Sequence, residues 1–476
     1  MPIEVRFHRA YLLAVARLRR APASRNETAE PSGVIETLKA MSMDACRIFG
    51  AAGAFLAAAA LASTLTPGPA SFSGAYAQDA AAPRARTAVR PRAAKPVAKP
   101  PAAAAQAKSL PERMPFTADD DAVAAIAGMP DARFWADSTR DFAKALPSQP
   151  GPWLALSSGG EDGAFGAGLL AGLSAAGKRP EFSVVTGVST GALLAPFAFL
   201  GSHYDDAMRD AYTRITSADI FEVGATAESF VNTWPLKELI AKEFTPAMLA
   251  DIAAEHRRGR RLFIVTTDLD AERSVVWNMG AIAAHGGDQA LNLFRTVLLA
   301  STSIPGAFPP VLIEVEANGK KFAEMHVDGG VGGQFFVAPL ALTAATSDYK
   351  LPATALYVLV NTGLQPDFDV VKRSTASILT QSVGMAVKID TRLMLDRAYL
   401  LAKRSGIPFN VASIPPEFSA PSRGAFDPDY MRALFQVGVE QGKSDTPFAA
   451  APPPYPAAPA QPSQSSQHTE KTGANR

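Results

Sequence analysis

The chain has 476 residues, 47% of them hydrophobic, and sets 46 Lys and Arg against 45 Asp and Glu for a formal net charge of +1. That length permits a sizeable core and one catalytic domain, whereas the balanced charge excludes a nucleic-acid partner, which needs a basic face. A single cysteine, Cys46, excludes a disulfide framework within the chain.

Residues 1–77 read as an N-terminal extension ending in a signal-like segment. Arg47 precedes the apolar run Ile48–Ala62, and Ala75-Tyr76-Ala77 before Gln78 has the small-X-small form of a cleavage site. The expectation is an exported protein, periplasmic or envelope-associated; retention of the run as an N-terminal membrane anchor is the alternative. Residues 78–115, dominated by Ala, Pro, Lys and Arg, bury too little apolar surface to order themselves and are expected to form a disordered cationic linker. The same argument makes residues 446–476 a disordered tail, which leaves a catalytic domain over 116–445.

Within that domain, Trp153–Leu156, Phe182–Val185, Leu262–Thr266, Lys321–Val327 and Ala355–Val360 are strand candidates, and helical stretches separate several of them. The alternation predicts an α/β fold with a mostly parallel sheet flanked by helices.

The first of these strands opens into Leu156–Leu170, "LSSGGEDGAFGAGLL". A glycine-rich strand-to-helix turn converges several backbone N–H groups, and the helix N-terminus adds positive potential, so the turn suits an anion. No Gly-Lys-Ser/Thr follows, the Gly-X-Gly-X-X-Gly spacing is missing, and Glu161 and Asp162 would repel a phosphate. A transient oxyanion fits better.

The second strand leads into Gly187-Val188-Ser189-Thr190-Gly191, with an apolar helix expected over Ala192–Leu200. In this Gly-X-Ser-X-Gly arrangement the glycines let the chain bend sharply and present the Ser189 hydroxyl as a nucleophile. Its base is less obvious. The chain order serine, acid, histidine needs a histidine after the acid, yet beyond His326 only His468 remains, in the tail. His203, His256 and His285 fall in "GSHYDD", "EHRRGRR" and a glycine loop, where surface roles are expected, and His326 stands two positions before Asp328. Asp328 itself opens Asp328-Gly329-Gly330, where glycines let a carboxylate project; in a site drier than water it can accept the serine proton, the more so if burial raises its pKa toward the working pH, and it is the better base. No cluster has metal-ligand spacing; Thr266–Asp270 is a weak calcium candidate that reads better as a strand-end turn, and neither metal nor cofactor is expected.

Taken together, "SSGGEDGAFGAGLLAGL", "GVSTGAL", "ASTSIPGAFPPV" and "HVDGGV" resemble the patatin-like phospholipases in content and order, over Trp153–Gly363. The resemblance implies the Ser-Asp hydrolase fold of that family, a dyad of Ser189 and Asp328, and an oxyanion hole on Gly159 and Gly160 with a further N–H from Glu161. It also implies lipid acyl hydrolysis of phospholipase A or lysophospholipase type, with a lipid or other ester as substrate and a membrane surface as partner. The alternative is a non-catalytic envelope-associated protein of the same fold that binds lipid or a surface. Two positions depart from the family pattern: Ser158 stands where a third glycine is usual, and Asp162 where an Arg or Lys is usual, which reverses the charge of the turn.

Overall fold

Runs that are apolar on both faces become the centre of the sheet, and alternating runs become its margins. The computed structural model describes residues 112–224 and 226–455; the signal-like segment, the linker up to residue 111 and the tail beyond 455 lie outside them. The chain begins with α1 (Ala118–Ala122), β1 (Arg133–Trp135), α2 (Thr139–Ala145), β2 (Pro152–Leu156), α3 (Gly163–Ala175), β3 (Val184–Val188), α4 (Thr190–Leu200) and α5 (Asp205–Thr213). A short pair, β4 (Glu222–Val223) and β5 (Val231–Asn232), precedes α6 (Trp234–Glu243), α7 (Pro246–Arg257), β6 (Arg261–Asp268) and β7 (Arg273–Asn278). There follow α8 (Met279–His285), α9 (Gly287–Ser301), β8 (Val311–Ala317), β9 (Lys320–Asp328), β10 (Ala355–Gly363), α10 (Thr375–Ser405), β11 (Phe409–Ile414) and α11 (Pro428–Lys443).

The main sheet runs β1-β7-β6-β3-β2-β10-β11, with β9 also joined to β6 and β8 to β9. Its core, β6-β3-β2-β10-β11, is parallel throughout, while β1, β7, β8 and β9 pair antiparallel. Side chains alternate between two apolar layers: Leu154 and Leu156 of β2 enter one, Trp153 and Ala155 the other. Helices cover both faces, as the continuous apolar runs require. The β8 segment "VLIEVEA" alternates buried and exposed residues instead, as a strand with one wet face does.

Two features position the functional turns. Strand β3 pairs with β6 as far as Val188 opposite Val265; from Thr266 onward the free edge of β6 is taken by β9, with Thr266 opposite Asp328. The ends of β3 and β9 therefore meet head-on. Helix α11 lies so close to α3 that a Cβ on Gly168 would collide with the Phe435 carbonyl and one on Gly438 with the Phe165 carbonyl.

The ordered chain extends past both expected boundaries. Arg113, assigned to the linker, donates to Asp270 Oδ1 at 2.9 Å and to the Ala323 carbonyl at 3.2 Å. Of the expected disordered tail, residues 446–455 are described: Ala449 and Val411 exchange backbone hydrogen bonds of 2.8 and 2.9 Å along β11, and Phe448 packs edge-on against Tyr357. Composition misjudges this stretch because a covering strand segment needs main-chain partners rather than many apolar side chains. No helix among the described residues is long and apolar enough to cross a membrane.

Candidate active site

Ser189 sits in the turn between β3 and α4 with φ 56° and ψ −123°, a left-handed conformation that a residue with a Cβ adopts only when its surroundings enforce it. Enforcement comes from close packing at both glycines: a Cβ on Gly191 would stand 2.5 Å from the Leu156 carbonyl, and one on Gly187 would collide with the Gly191 carbonyl. Val188 ends β3 and Thr190 opens α4. The Ser189 backbone N–H donates to Ser301 Oγ at 3.1 Å, and Ser301 Oγ donates to the Val265 carbonyl at 2.7 Å, so the "ASTSIPG" segment braces the turn from behind.

Ser189 Oγ donates to Asp328 Oδ2 at 2.6 Å, and both residues are almost fully buried. Asp328 Oδ1 accepts the Gly330 N–H at 2.7 Å, and the Asp328 N–H reaches the Ser303 carbonyl at 2.8 Å. Loss of water pushes the Asp328 carboxyl up to about 7, with the Ser189 hydroxyl and the Gly330 N–H pulling the other way. Gly329 is held close against β6, where a Cβ would collide with the Val265 carbonyl.

The glycine-rich turn lies beside this pair. The N–H groups of Gly159 and Gly160 have no hydrogen-bond acceptor among the described residues, whereas the Ser158 N–H is already committed to the Gln334 carbonyl at 2.9 Å. Gly160 and Ser189 line one cavity whose other walls are almost wholly apolar, including Leu193, Phe197, Ile240, Phe308 and Met431.

Both departures from the family pattern find partners here. Ser158 Oγ donates to Gln334 Oε1, and Gln334 Nε2 donates to the Gly330 carbonyl at 2.8 Å, which ties the glycine-rich turn to the turn that holds Asp328. Asp162 Oδ1 accepts the Tyr430 hydroxyl at 2.6 Å, and the Glu161 carboxylate accepts the Phe426 N–H just before α11. Burial raises Glu161 to about 7, reinforced by Asp162, and raises Asp162 to about 6 against the pull of Tyr430. Sequence reasoning missed Gln334, Phe426 and Tyr430. Gln334 follows Gly330 by four residues and was within reach of motif reading; the other two come from the far end of the chain.

None of the four domain histidines touches Ser189 or Asp328. His203 is exposed beside Tyr204, His285 meets Asp131 at 3.1 Å, and His256 is packed against Gly280, where burial pushes it down to about 4. His326 is buried; its Nδ1 lies 2.9 Å from Thr266 Oγ1 and its Nε2 lies 3.0 Å from Glu324 Oε2. His326, Glu324 and Asp268 bring potential ligand atoms within 4.8 Å of one another. Both Glu324 oxygens, however, already face the Arg133 guanidinium. Burial opposes the Glu324 charge, yet the His326 and Arg133 hydrogen bonds hold its carboxyl down at about 2.

The family model of the patatin-like phospholipases matches residues 154–341, a span that begins in β2 and contains Ser189 and Asp328. The chain carries a patatin-like phospholipase domain. Among solved structures, VipD from Legionella pneumophila aligns over 62% of this chain and 68% of that chain, with 10% identity and a TM-score of 0.30. No curated protein matches the chain. The parallel core flanked by helices accords with the patatin-like domain, a family of lipid hydrolases.

Proposed function

We propose that the patatin-like domain hydrolyses carboxylic ester bonds of lipids, as a phospholipase A or a lysophospholipase, through a dyad of Ser189 and Asp328. The observation that carries this reading is the 2.6 Å hydrogen bond from a strained serine to a buried carboxylate at the mouth of an apolar cavity.

As the Asp328 carboxylate takes the Oγ proton, Ser189 Oγ attacks the ester carbonyl, and the oxygen of the tetrahedral adduct gathers negative charge. The free N–H groups of Gly159 and Gly160 supply its hydrogen bonds without reorganisation. Collapse expels the lipid alcohol, which leaves with the proton from Asp328. Water then attacks the acyl-serine ester while Asp328 takes its proton, and return of that proton to Oγ frees the fatty acid. A carboxyl near 7 suits both directions of transfer, being neither too weak a base nor too strong an acid. The apolar cavity accommodates the acyl chain.

Fatty-acid release from diacyl phospholipid, lysophospholipid and nitrophenyl esters of graded length tests the proposal. Turnover of at least one lipid class that disappears in Ser189→Ala supports it; no turnover of any ester by the folded wild type contradicts it. Export belongs to the same proposal and rests on residues 41–77, outside the described structure. Mass spectrometry of the native protein should find a chain beginning near Gln78, and a dominant peptide crossing Ala77–Gln78 would establish an anchor instead.

A further inference from the structure

Helix α10 overshoots the sheet. At Arg392 and Met394 it is level with the functional turns: Arg392 Nε donates to the Leu364 carbonyl just past β10 at 2.7 Å, and the Gln334 N–H donates to Met394 Sδ at 3.2 Å. From there it runs back to the start of β11, antiparallel to the core strands. Its earlier half, residues 375–391, therefore continues past the carboxyl edge on which Ser189 sits, an arm of roughly 25 Å at about 1.5 Å per residue with Thr380 and Val383 buried on its inner face.

The arm shows apolar side chains to solvent. Ile378, Met385 and Ile389 are 52%, 60% and 50% exposed and, at spacings of seven and four, share one helix face. The preceding loop adds Phe368 at 95% and Val370 at 78% exposure. Lys388 joins the loop to the arm through Asp367 and the Gln365 carbonyl, and its charge reaches Asp162 in the glycine-rich turn, so arm and site mouth are neighbours. From residue 367 to the end of the arm at 391, Lys372, Arg373 and Lys388 are balanced by Asp367, Asp369 and Asp390, and the two adjacent cations Lys372 and Arg373 are exposed in the loop. Apolar side chains bordered by the exposed Lys372 and Arg373 match a membrane interface, whose acyl region takes the first and whose anionic headgroups take the second.

We propose that this arm docks the enzyme on a phospholipid surface, inserting Phe368, Val370, Ile378 and Met385 with Lys372 and Arg373 at the headgroups, so that the carboxyl edge of the sheet faces the lipid. The choice of lipid as occupant rests on the acyl-hydrolase reading.

The test uses the full chain with Cys46→Ser and Ser189→Ala, so that docking is read without hydrolysis. One cysteine is introduced in turn as Phe368→Cys, Met385→Cys or, at the opposite edge before β2, Lys144→Cys, and each is labelled with an environment-sensitive dye. With vesicles of phosphatidylcholine and phosphatidylglycerol, labels at 368 and 385 should shift to the blue and gain severalfold protection from an aqueous quencher, while the label at 144 stays unprotected. Labels at 368 and 385 that remain quenched, whether or not the protein sediments with the vesicles, overturn the proposal. So does protection that appears without lipid as protein concentration rises, which would identify the patch as a contact between copies. In the active chain, the triple variant Phe368→Ser, Val370→Ser, Met385→Gln should lose at least tenfold in vesicle hydrolysis while turnover of a soluble short ester is unchanged. Equal loss on both substrates would also overturn docking, and absence of soluble-ester turnover in the wild type would instead sink the hydrolase reading alone.

Discussion

The Tyr430 hydroxyl donates to Asp162 Oδ1 at 2.6 Å, fastening helix α11 to the turn that carries Gly159 and Gly160. A reversed charge beside an oxyanion site would be costly if it faced the substrate. Here the acid is turned to a phenol, and its neighbour Glu161 to the Phe426 N–H, so both serve as struts between distant parts of the chain.

Removing that strut should loosen the turn. Tyr430→Phe leaves a half-buried carboxylate without its donor and is expected to cost about 1–2 kcal/mol of stability, read as a lower Tm, together with a severalfold fall in kcat. Asp162→Asn keeps a carbonyl oxygen for the phenol and should cost less than Tyr430→Phe. Equal or reversed effects would mean that the contact does not hold the turn.

If the apolar cavity beside Ser189 holds the acyl chain, narrowing it should shift preference toward short ones. Leu193, half-buried in its wall, can be enlarged without entering the deepest core. Leu193→Trp is expected to lower kcat/KM for long-chain esters by more than tenfold, about 1.4 kcal/mol or more in transition-state binding, while short nitrophenyl esters are turned over nearly as before. A uniform fall across chain lengths would place the acyl chain elsewhere.

Asp328 must be ionised to act as a base, so the rate should climb as pH rises through about 7 and level off above it. Stability runs the opposite way. A carboxyl whose folded pKa is raised retains a proton that the unfolded chain has already released, so its contribution is complete below the unfolded value near 3.8 and is lost as pH rises through about 7. Glu161 shares that direction. Asp328→Asn removes the buried charge, and its Tm at pH 8 should equal or exceed that of the wild type. A lower Tm there would mean that the carboxylate is structurally required.

Much of this site was legible in the sequence because its turns are made of glycines at fixed offsets. Gly187 and Gly191 bracket Ser189, and Asp328 is followed by Gly329 and Gly330, each a local consequence of crowding against a neighbouring strand. The core strands β2, β3, β6 and β10 were legible because burial on both faces leaves unbroken apolar runs. Strand β8 carried a readable alternation that was overlooked, and β1 and β7 are margins whose pairing is decided by neighbours far along the chain. The struts from Gln334, Phe426 and Tyr430 were not legible, since no local pattern says which distant side chain will meet Ser158, Glu161 or Asp162.

The most direct test of the central claim is covalent labelling with a fluorophosphonate together with ester turnover, measured on Ser189→Ala, Asp328→Asn and alanine variants of His203, His256, His285 and His326, each checked by thermal melting. The dyad predicts that the wild type is labelled at Ser189. It also predicts that Ser189→Ala and Asp328→Asn each lose at least a thousandfold in turnover while folded, because each removes half of one unit. Alanine at His203, His256 or His285 should leave turnover near normal, and His326→Ala should act only through the packing around Thr266 and Glu324. A folded Asp328→Asn enzyme with near-normal turnover, or a folded histidine variant as inactive as Ser189→Ala, would contradict a carboxylate acting alone as the base.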